Sequence, residues 1–368
     1  MKIIFSGGGT AGHINPALAI ADYISSAEKK TEILFIGTKA GLESSLVPKA
    51  GYNIEYVRVE GLGAKPNLKN LKSFFHMMTA KKKCKKIISD FGADAVVGTG
   101  GYVCAPAVMA ANSLSVPTLI HEQNVFPGSA VKLLSKNSTV TAISFEESRK
   151  YLTSAKKILF TGNPIRPEIL SCSRDDSRRK LDLKNEKFIV IFGGSLGAEK
   201  INSVALDYLK SLQGKGGYKI LFATGKRNYD SVSAEAEKLG ITKNKSIQIV
   251  PYIYNMDEVM SAADLAVCRS GAITVSELCA LGKPAILIPS PNVTHNHQEY
   301  NARALSDNGA AITILEKDFN VSALDAAVRS ILKDEESIRT MSAASSKIKS
   351  VDALEIIYKE LKKITAAR

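Results

Sequence analysis

Thirteen short apolar, β-branched runs, each followed by a stretch of different pattern, constrain this chain more than any other feature. Seven lie in the first half: "KIIFSG", "EILFIG", "NIEYVRV", "DAVVGTG", "VPTLIHE", "STVTAIS" and "KILFTGNP". Six lie in the second: "KFIVIFGG", "YKILFATG", "IQIVPYI", "DLAVCRSG", "KPAILIP" and "GAAITI". Continuous apolar runs spaced by helices are the mark of parallel strands covered on both faces. The first run of each half ends in a glycine turn that opens a helix, "FSGGGTAGH" and "FGGSLGAEKIN". The expected fold is α/β: two doubly wound, Rossmann-like domains facing one another across a cleft. A length of 368 residues suits two domains. The boundary is expected near "TGNPIRPE", where Pro164 and Pro167 restrict the backbone, giving domains 1–163 and 164–349. The last segment, about 350–368, reads as an amphipathic helix, with the first domain as a candidate host.

Charge narrows the partners. The net charge is +13, and residues 1–160 hold 20 Lys/Arg against 11 Asp/Glu, so most of the excess lies in the first half. Its partner is expected to be acidic: nucleic acid, an anionic membrane or a phosphorylated substrate. No stretch approaches 18 consecutive apolar residues, and the N-terminus shows no leader pattern, so the chain is expected in the cytosol without a span. Five scattered cysteines with no C-x-x-C read as reduced thiols.

The glycine turns admit several readings. Gly7, Gly9 and Gly12 spell G-x-G-x-x-G, which suits a dinucleotide. That reading needs an acid at the tip of the second strand, and "FIGTKAG" has none there. It also leaves His13, at the start of the helix, unexplained. "GGSLG" is also G-x-S-x-G, the nucleophile elbow of hydrolases, but no Asp and His follow at strand ends as that chemistry requires. Gly194 and Ser195 read better as donors to a phosphate at a helix start. There is no P-loop pattern, and no D-x-D to clamp a metal-bound sugar nucleotide. In "CRSGAITVSELCALGKPAILIP", Arg269 and Ser270 sit at a strand end and Glu277 lies further along the following helix. A carboxylate there suits two ribose hydroxyls, or else a solvated helix face. His297 and Gln298, in "HNHQEYNA", suit sugar hydroxyls or a helix cap.

Taken in order, "GGTAGHINP", "GTGGYVCAPAVMAA", "HEQNVFPG", "TGNPIR", "GGSLGAEKIN", "CRSGAITVSE" and "HQEYNA" resemble the N-acetylglucosaminyltransferases of peptidoglycan synthesis, which are of the two-domain glycosyltransferase B type. The resemblance runs the full length. One departure is Ala11, where many members have a second glycine. The resemblance implies an inverting transfer of GlcNAc from UDP-GlcNAc to the C4 hydroxyl of MurNAc in undecaprenyl-pyrophosphoryl-MurNAc-pentapeptide, turning lipid I into lipid II. No cofactor and no metal are implied; UDP-GlcNAc is a substrate.

The same resemblance implies residue roles. The donor is expected on the second domain, with the Ile253 backbone on the uracil edge and Glu277 on the ribose. Ser195, Gly194 and Arg166 are expected to face the diphosphate. Arg269 either joins them or only orders its strand end. Gln298, with His297 beside it, is expected on the GlcNAc hydroxyls, and Asn202 in the same place. From the first domain, Thr10, Gly12 and Asn124 are expected near the donor. Tyr102, His121 and Gln123 are expected on the acceptor. The attacking hydroxyl needs a base. His13 is the first candidate, with the positive helix end keeping its imidazole neutral, and Glu122 is the alternative.

A further segment, "KPNLKNLKSFFHMMTAKKKCKK", has eight lysines and no acid. Leu68, Leu71, Phe74, Phe75 and Met78 recur at helical spacing. A core-facing stripe is the plain reading. A polyprenyl acceptor makes a membrane-docking face the sharper one, with Leu71, Phe74 and Phe75 entering the lipid and Lys81, Lys82 and Lys83 meeting anionic headgroups. The chain is then expected as a peripheral protein on the cytoplasmic face of the cell membrane. Nucleic acid is not expected, because the lysine run lacks interleaved aromatics. Contacts with other cell-wall enzymes are left open. Two rival functions remain: a UDP-sugar epimerase, which leaves the basic apolar segment unexplained, and a non-catalytic membrane scaffold, which leaves Arg166, Ser195, Glu277 and Gln298 unexplained.

Overall fold

The computed structural model describes residues 1–60, 68–165, 167–213, 217–348 and 352–367, with side chains at all of these except 68–72 and 74. The chain divides into two compact units, Met1–Ile165 with Ser350–Arg368, and Arg166–Lys349.

The first unit is built on seven parallel strands. They are β1 (Lys2–Ser6), β2 (Glu32–Gly37), β3 (Asn53–Tyr56), β4 (Ala95–Gly98), β5 (Thr118–Glu122), β6 (Val140–Ile143) and β7 (Ile158–Phe160). Their spatial order is β3-β2-β1-β4-β5-β6-β7. The order reverses between β1 and β4, which leaves a gap at their carboxyl ends, the usual ligand position in such sheets. Strands β4, β5 and β6 are buried along their whole length, which is why they read as unbroken apolar runs. One sheet face is covered by the helices Leu68–Phe91, Cys104–Ser113 and Ser129–Ser135, through Ala80, Cys84, Ile88, Val108 and Leu134 among others. The other is covered by Ala11–Ala27, Glu43–Lys49 and the C-terminal helix Ala353–Ala366, which packs Ile357, Leu361 and Ile364 there.

The second unit repeats the plan with β8 (Lys187–Phe192), β9 (Tyr218–Ala223), β10 (Ile247–Val250), β11 (Leu265–Cys268), β12 (Ala285–Leu287) and β13 (Ile312–Thr313). The order is β10-β9-β8-β11-β12-β13, again parallel throughout. The helices Glu199–Ser211, Tyr229–Lys238 and Val321–Leu332 bury Ile201, Tyr208, Val232, Leu324 and Val328 against one face. All thirteen apolar runs are strands, and both glycine turns follow the first strand of their sheet.

The five cysteines are free thiols, four of them buried. Burial pushes the Cys84, Cys104 and Cys279 thiols up to about 12, so they are protonated and inert at neutral pH.

Candidate functional site

In the first unit the site gathers where β1, β4 and β5 end. Thr10 is the N-cap of the helix Ala11–Ala27, and its carbonyl accepts from His13 N (3.1 Å) and Ile14 N (3.3 Å). Gly9 takes φ +84°, open to glycine but strained for other residues. The turn after β4 locks into the turn after β1. A Cβ on Gly101 would stand 2.3 Å from the Gly8 carbonyl oxygen, and one on Gly100 would stand 2.8 Å from His13 Nδ1. Gly12, by contrast, has room for a side chain, its nearest neighbour being Thr10 Oγ1 at 3.6 Å. Tyr102 is partly exposed beside Gly9.

His13 is half-buried at the first turn of its helix. Its Nδ1 lies 3.1 Å from Thr99 O and 3.1 Å from Gln123 Oε1. Its own carbonyl accepts from Thr99 Oγ1 at 2.7 Å. Gln123 and His121 are buried, and their side chains bond to one another. They sit behind His13 rather than open to a substrate. Burial pushes the His121 imidazole down to about 4, only partly opposed by its bond to Gly162 O, so it is neutral at physiological pH.

Glu122 is also buried, and burial pushes its carboxyl up; hydrogen bonds from Asn124 and Gly128 and the nearby His13 oppose that shift. Its Oε1 accepts from Asn124 N (2.9 Å) and Nδ2 (3.1 Å), and Oε2 accepts from Gly128 N (2.8 Å). Three donors therefore hold this carboxylate to the loop it precedes. Asn124 is partly buried on that loop.

Sequence reasoning missed Glu43. It opens the short helix Glu43–Lys49 and is 1% exposed. Its carboxylate accepts from Gly9 N (3.2 Å), Thr38 N (3.0 Å) and Thr38 Oγ1 (2.6 Å). Gly8, Gly37 and Gly41 crowd around it, and a Cβ at any of them would fall within 2.8 Å of Glu43 side-chain atoms. The acid missing from the tip of β2 is thus present six residues beyond Gly37. It is turned inward and spent on the chain's own N–H groups rather than offered to a ribose. The signal was the glycine flanking in "GTKAGLE".

In the second unit the corresponding turns interlock in the same way. A Cβ on Gly197 would stand 2.1 Å from Thr224 O, and one on Gly225 would stand 2.2 Å from Gly197 N. Gly194 takes φ +92° with nothing within 4 Å of where a Cβ would stand, and Ser195 is exposed next to it. Asn202 is buried, and its Nδ2 donates to Thr224 O at 2.9 Å, pinning its helix to the end of β9. Ile253 is buried between Tyr252 and Tyr254, whose rings meet edge to face at 5.0 Å under the Lys226 ammonium.

Arg269 donates to Ile288 O (3.1 Å) and Pro289 O (3.2 Å) and pairs with Glu316. Of its two expected roles, ordering the strand end is the one these contacts serve. Glu277 is half-buried on the helix Ala272–Ala280, close enough to Cys268 to help raise that thiol. Gln298 Oε1 accepts from Ser290 N at 2.9 Å, and the Gln298 carbonyl accepts from Ser270 Oγ at 2.8 Å. His297 Nδ1 lies 2.7 Å from Thr294 O. Arg166 lies outside the described residues. Among the described residues no group of three or more His, Cys, Asp or Glu side chains is placed to hold a metal ion.

The lysine-rich segment forms the helix Leu68–Phe91. Ala80, Cys84 and Ile88 make its core stripe, while Phe75 is 63% and Met78 45% exposed. The side chains of Leu71 and Phe74 lie outside the described residues. Lys81 is half-buried, Lys82 is exposed, and Lys83 is exposed with its Nζ on Tyr56 O. Among the described residues no helix is long and apolar enough to cross a membrane.

Two parallel sheets, each with interlocked glycine turns at its strand ends, place the chain among doubly wound, two-unit α/β proteins. The chain matches the glycosyltransferase family 28 N-terminal domain over residues 3–143 and the family 28 C-terminal domain over residues 188–356. The chain belongs to glycosyltransferase family 28. A relative from Acetivibrio thermocellus is 48% identical over 99% of this chain and 98% of its own length. It is named UDP-N-acetylglucosamine–N-acetylmuramyl-(pentapeptide) pyrophosphoryl-undecaprenol N-acetylglucosamine transferase. A relative of the same name from Thermoanaerobacter sp. is 44% identical over 99% of this chain and all of its own. The solved structure of Acinetobacter baumannii MurG superposes with a TM-score of 0.81 at 27% identity, covering 98% of this chain and 99% of that one.

Proposed function

We propose that this chain transfers N-acetylglucosamine from UDP-N-acetylglucosamine to the C4 hydroxyl of MurNAc in undecaprenyl-pyrophosphoryl-MurNAc-pentapeptide, with inversion, in peptidoglycan synthesis. The observation that carries this is the end-to-end identity of 48% with a relative bearing that activity's name.

His13 is the base. The acceptor C4 oxygen attacks the sugar C1, its proton passes to the imidazole, and the C1–O bond breaks with its electron pair leaving on UDP. Glu122, held by three donors, shapes the Asn124–Gly128 loop instead. Thr10, Gly12 and Tyr102 line the same strand ends. On the second unit, Gly194 and Ser195 meet the diphosphate with Arg166, as its charge grows in the transition state. Glu277 holds the ribose, and the Ile253 backbone the uracil. Gln298, whose Oε1 is taken by Ser290 N, turns its amide N–H groups to the GlcNAc hydroxyls. Asn202 supports this site through β9. No metal or cofactor is required in this reading. Sugar-labelled UDP-GlcNAc with a short-chain lipid I analogue and chelator present should transfer label to the lipid. Free or epimerised sugar without acceptor would overturn the reading in favour of an epimerase, and a need for added divalent cation would overturn its metal-free part.

The acceptor's polyprenyl chain requires a membrane surface, here the anionic cytoplasmic leaflet. Exposed Phe75 and Met78 on the helix Leu68–Phe91, and Leu133 (59% exposed) with Lys132 and Lys136 nearby on the same sheet face, supply it. Burying one such side chain contributes about 1.5–3 kcal/mol, and each lysine near anionic lipid about 1 kcal/mol. Changing Phe75→Ser, Met78→Ser and Lys82→Gln together is expected to cut co-sedimentation with anionic vesicles by about tenfold or more. Unchanged sedimentation would show that the lipid meets another surface.

A further inference from the structure

We propose that Gln123 and His121 are positioning residues that fix which nitrogen of His13 carries the proton, through a buried chain of hydrogen bonds beginning at Gly162 O. The inference rests on the reading of His13 as the base.

The chain begins at a backbone carbonyl, which can only accept. His121 Nε2 lies 3.0 Å from Gly162 O and 3.4 Å from Ser144 Oγ. The Ser144 hydroxyl directs its own hydrogen to Glu122 O (2.7 Å) and Asn163 Oδ1 (2.9 Å), so it too presents a lone pair to the ring. His121 therefore carries its hydrogen on Nε2 and keeps a lone pair on Nδ1. That lone pair faces Gln123 Nε2 at 3.0 Å. The same nitrogen faces Thr99 O at 2.9 Å and His121 O at 3.1 Å. Three acceptors surround one end of the amide. Turning it over would set its oxygen against all three, so the NH₂ stays there and Oε1 faces His13.

His13 Nδ1 then meets two acceptors, Gln123 Oε1 and Thr99 O, both at 3.1 Å. It must carry the hydrogen. Nε2 is left with its lone pair and, among the described residues, no hydrogen-bond partner. A base needs that lone pair, and the other tautomer would have none to offer at Nε2. His121 suits its place because it stays neutral there: a proton on Nδ1 would repel the amide NH₂ and invite the turnover that breaks the chain. The other titratable groups around His13 are Glu122, ahead of Gln123 on β5, Tyr102 beyond β4, and Glu43 behind Gly9.

The test reads the tautomer directly. Full-length protein carrying ¹⁵N-labelled histidine has five imidazoles. Long-range ¹H–¹⁵N spectra at neutral pH should show an imidazole locked as Nδ1–H whose signal vanishes in His13→Gln, while the Nδ1–H signal of His297, which faces Thr294 O, stays in place. A wild-type His13 signal of the Nε2–H form, or of two forms in fast exchange, would overturn the proposal without any variant at Gln123. In Gln123→Met the His13 signal should move toward a mixture and kcat should fall by roughly 10–100-fold, less than a full tautomer reversal because Thr99 O remains. Gln123→Met with the tautomer and kcat both unchanged would also overturn it. The reading beneath fails separately: His13→Ala with full kcat removes the base but leaves the tautomer result standing.

Discussion

His13→Ala should lower kcat by about 10²–10⁴-fold, the range that a positioned general base supplies. The KM for UDP-GlcNAc should stay within about twofold of the parent, because uniform donor binding is left intact. Ser195, Glu277 and Gln298, which this reading assigns to the donor, belong to the second unit. Alanine is the best helix former, and His13 lies in the first turn of the helix Ala11–Ala27, so the variant should fold. What is lost is the ring that fits against Gly100 and Gly101, together with its bond to Thr99 O. Initial rates with labelled donor and saturating acceptor analogue check this. A kcat within about threefold of the parent would mean that another group takes the proton.

Glu43→Ala should cost the first unit about 3–5 kcal/mol and lower its unfolding midpoint by about 10 °C. The carboxylate answers three donors at once: Gly9 N–H, Thr38 N–H and the Thr38 hydroxyl. Removing it leaves the two Thr38 donors buried without that partner, at about 1–3 kcal/mol each before relaxation, and releases the part-buried Gly9 N–H. The surrounding glycines, packed to carboxylate shape, cannot fill the space with side chains. Glu43→Gln keeps the volume and one acceptor oxygen, so it should lose about half as much. Thermal unfolding followed by circular dichroism decides the matter. A midpoint for Glu43→Ala within about 2 °C of the parent would show that water replaces the carboxylate at no cost.

The strands were legible in the sequence because burial on both faces leaves no polar alternation to confuse with a helix. "DAVVGTG" and "VPTLIHE" could be little else. His13 was legible because a histidine at a glycine-rich helix start has few purely structural uses. Glu43 was not. A single acid in "GLESSLV", on a short helix after a strand, has the pattern of a solvated face, and only the fold brings Gly8 and Gly9 back over it. His121 and Gln123 were legible as important but not in kind. Both were expected on the acceptor, whereas their burial and mutual bonding put them behind His13. Arg269 shows the same limit. A guanidinium at a strand end suits a diphosphate or a pair of carbonyls equally, and the choice depends on where Glu316, 47 residues away, comes to rest. Side chains that act through another side chain leave no periodicity to read.

The chain's two ends are fastened together. The Met1 ammonium pairs with Glu28, Tyr358 donates to the same Glu28, and Lys157 pairs with Glu360. A ribosome delivers those ends at opposite times. Residues 166–349 emerge as one continuous stretch while Ala17, Ile20 and Ile24 still await the helix that brings Ile357, Leu361 and Ile364. The first unit to be synthesised is therefore the last to be finished. At ordinary rates of elongation its open face waits roughly 10–40 s. Throughout that interval a nascent chain exposes an apolar face of the kind that invites aggregation, and removal of residues 353–368 would leave the first unit in that unfinished state for good.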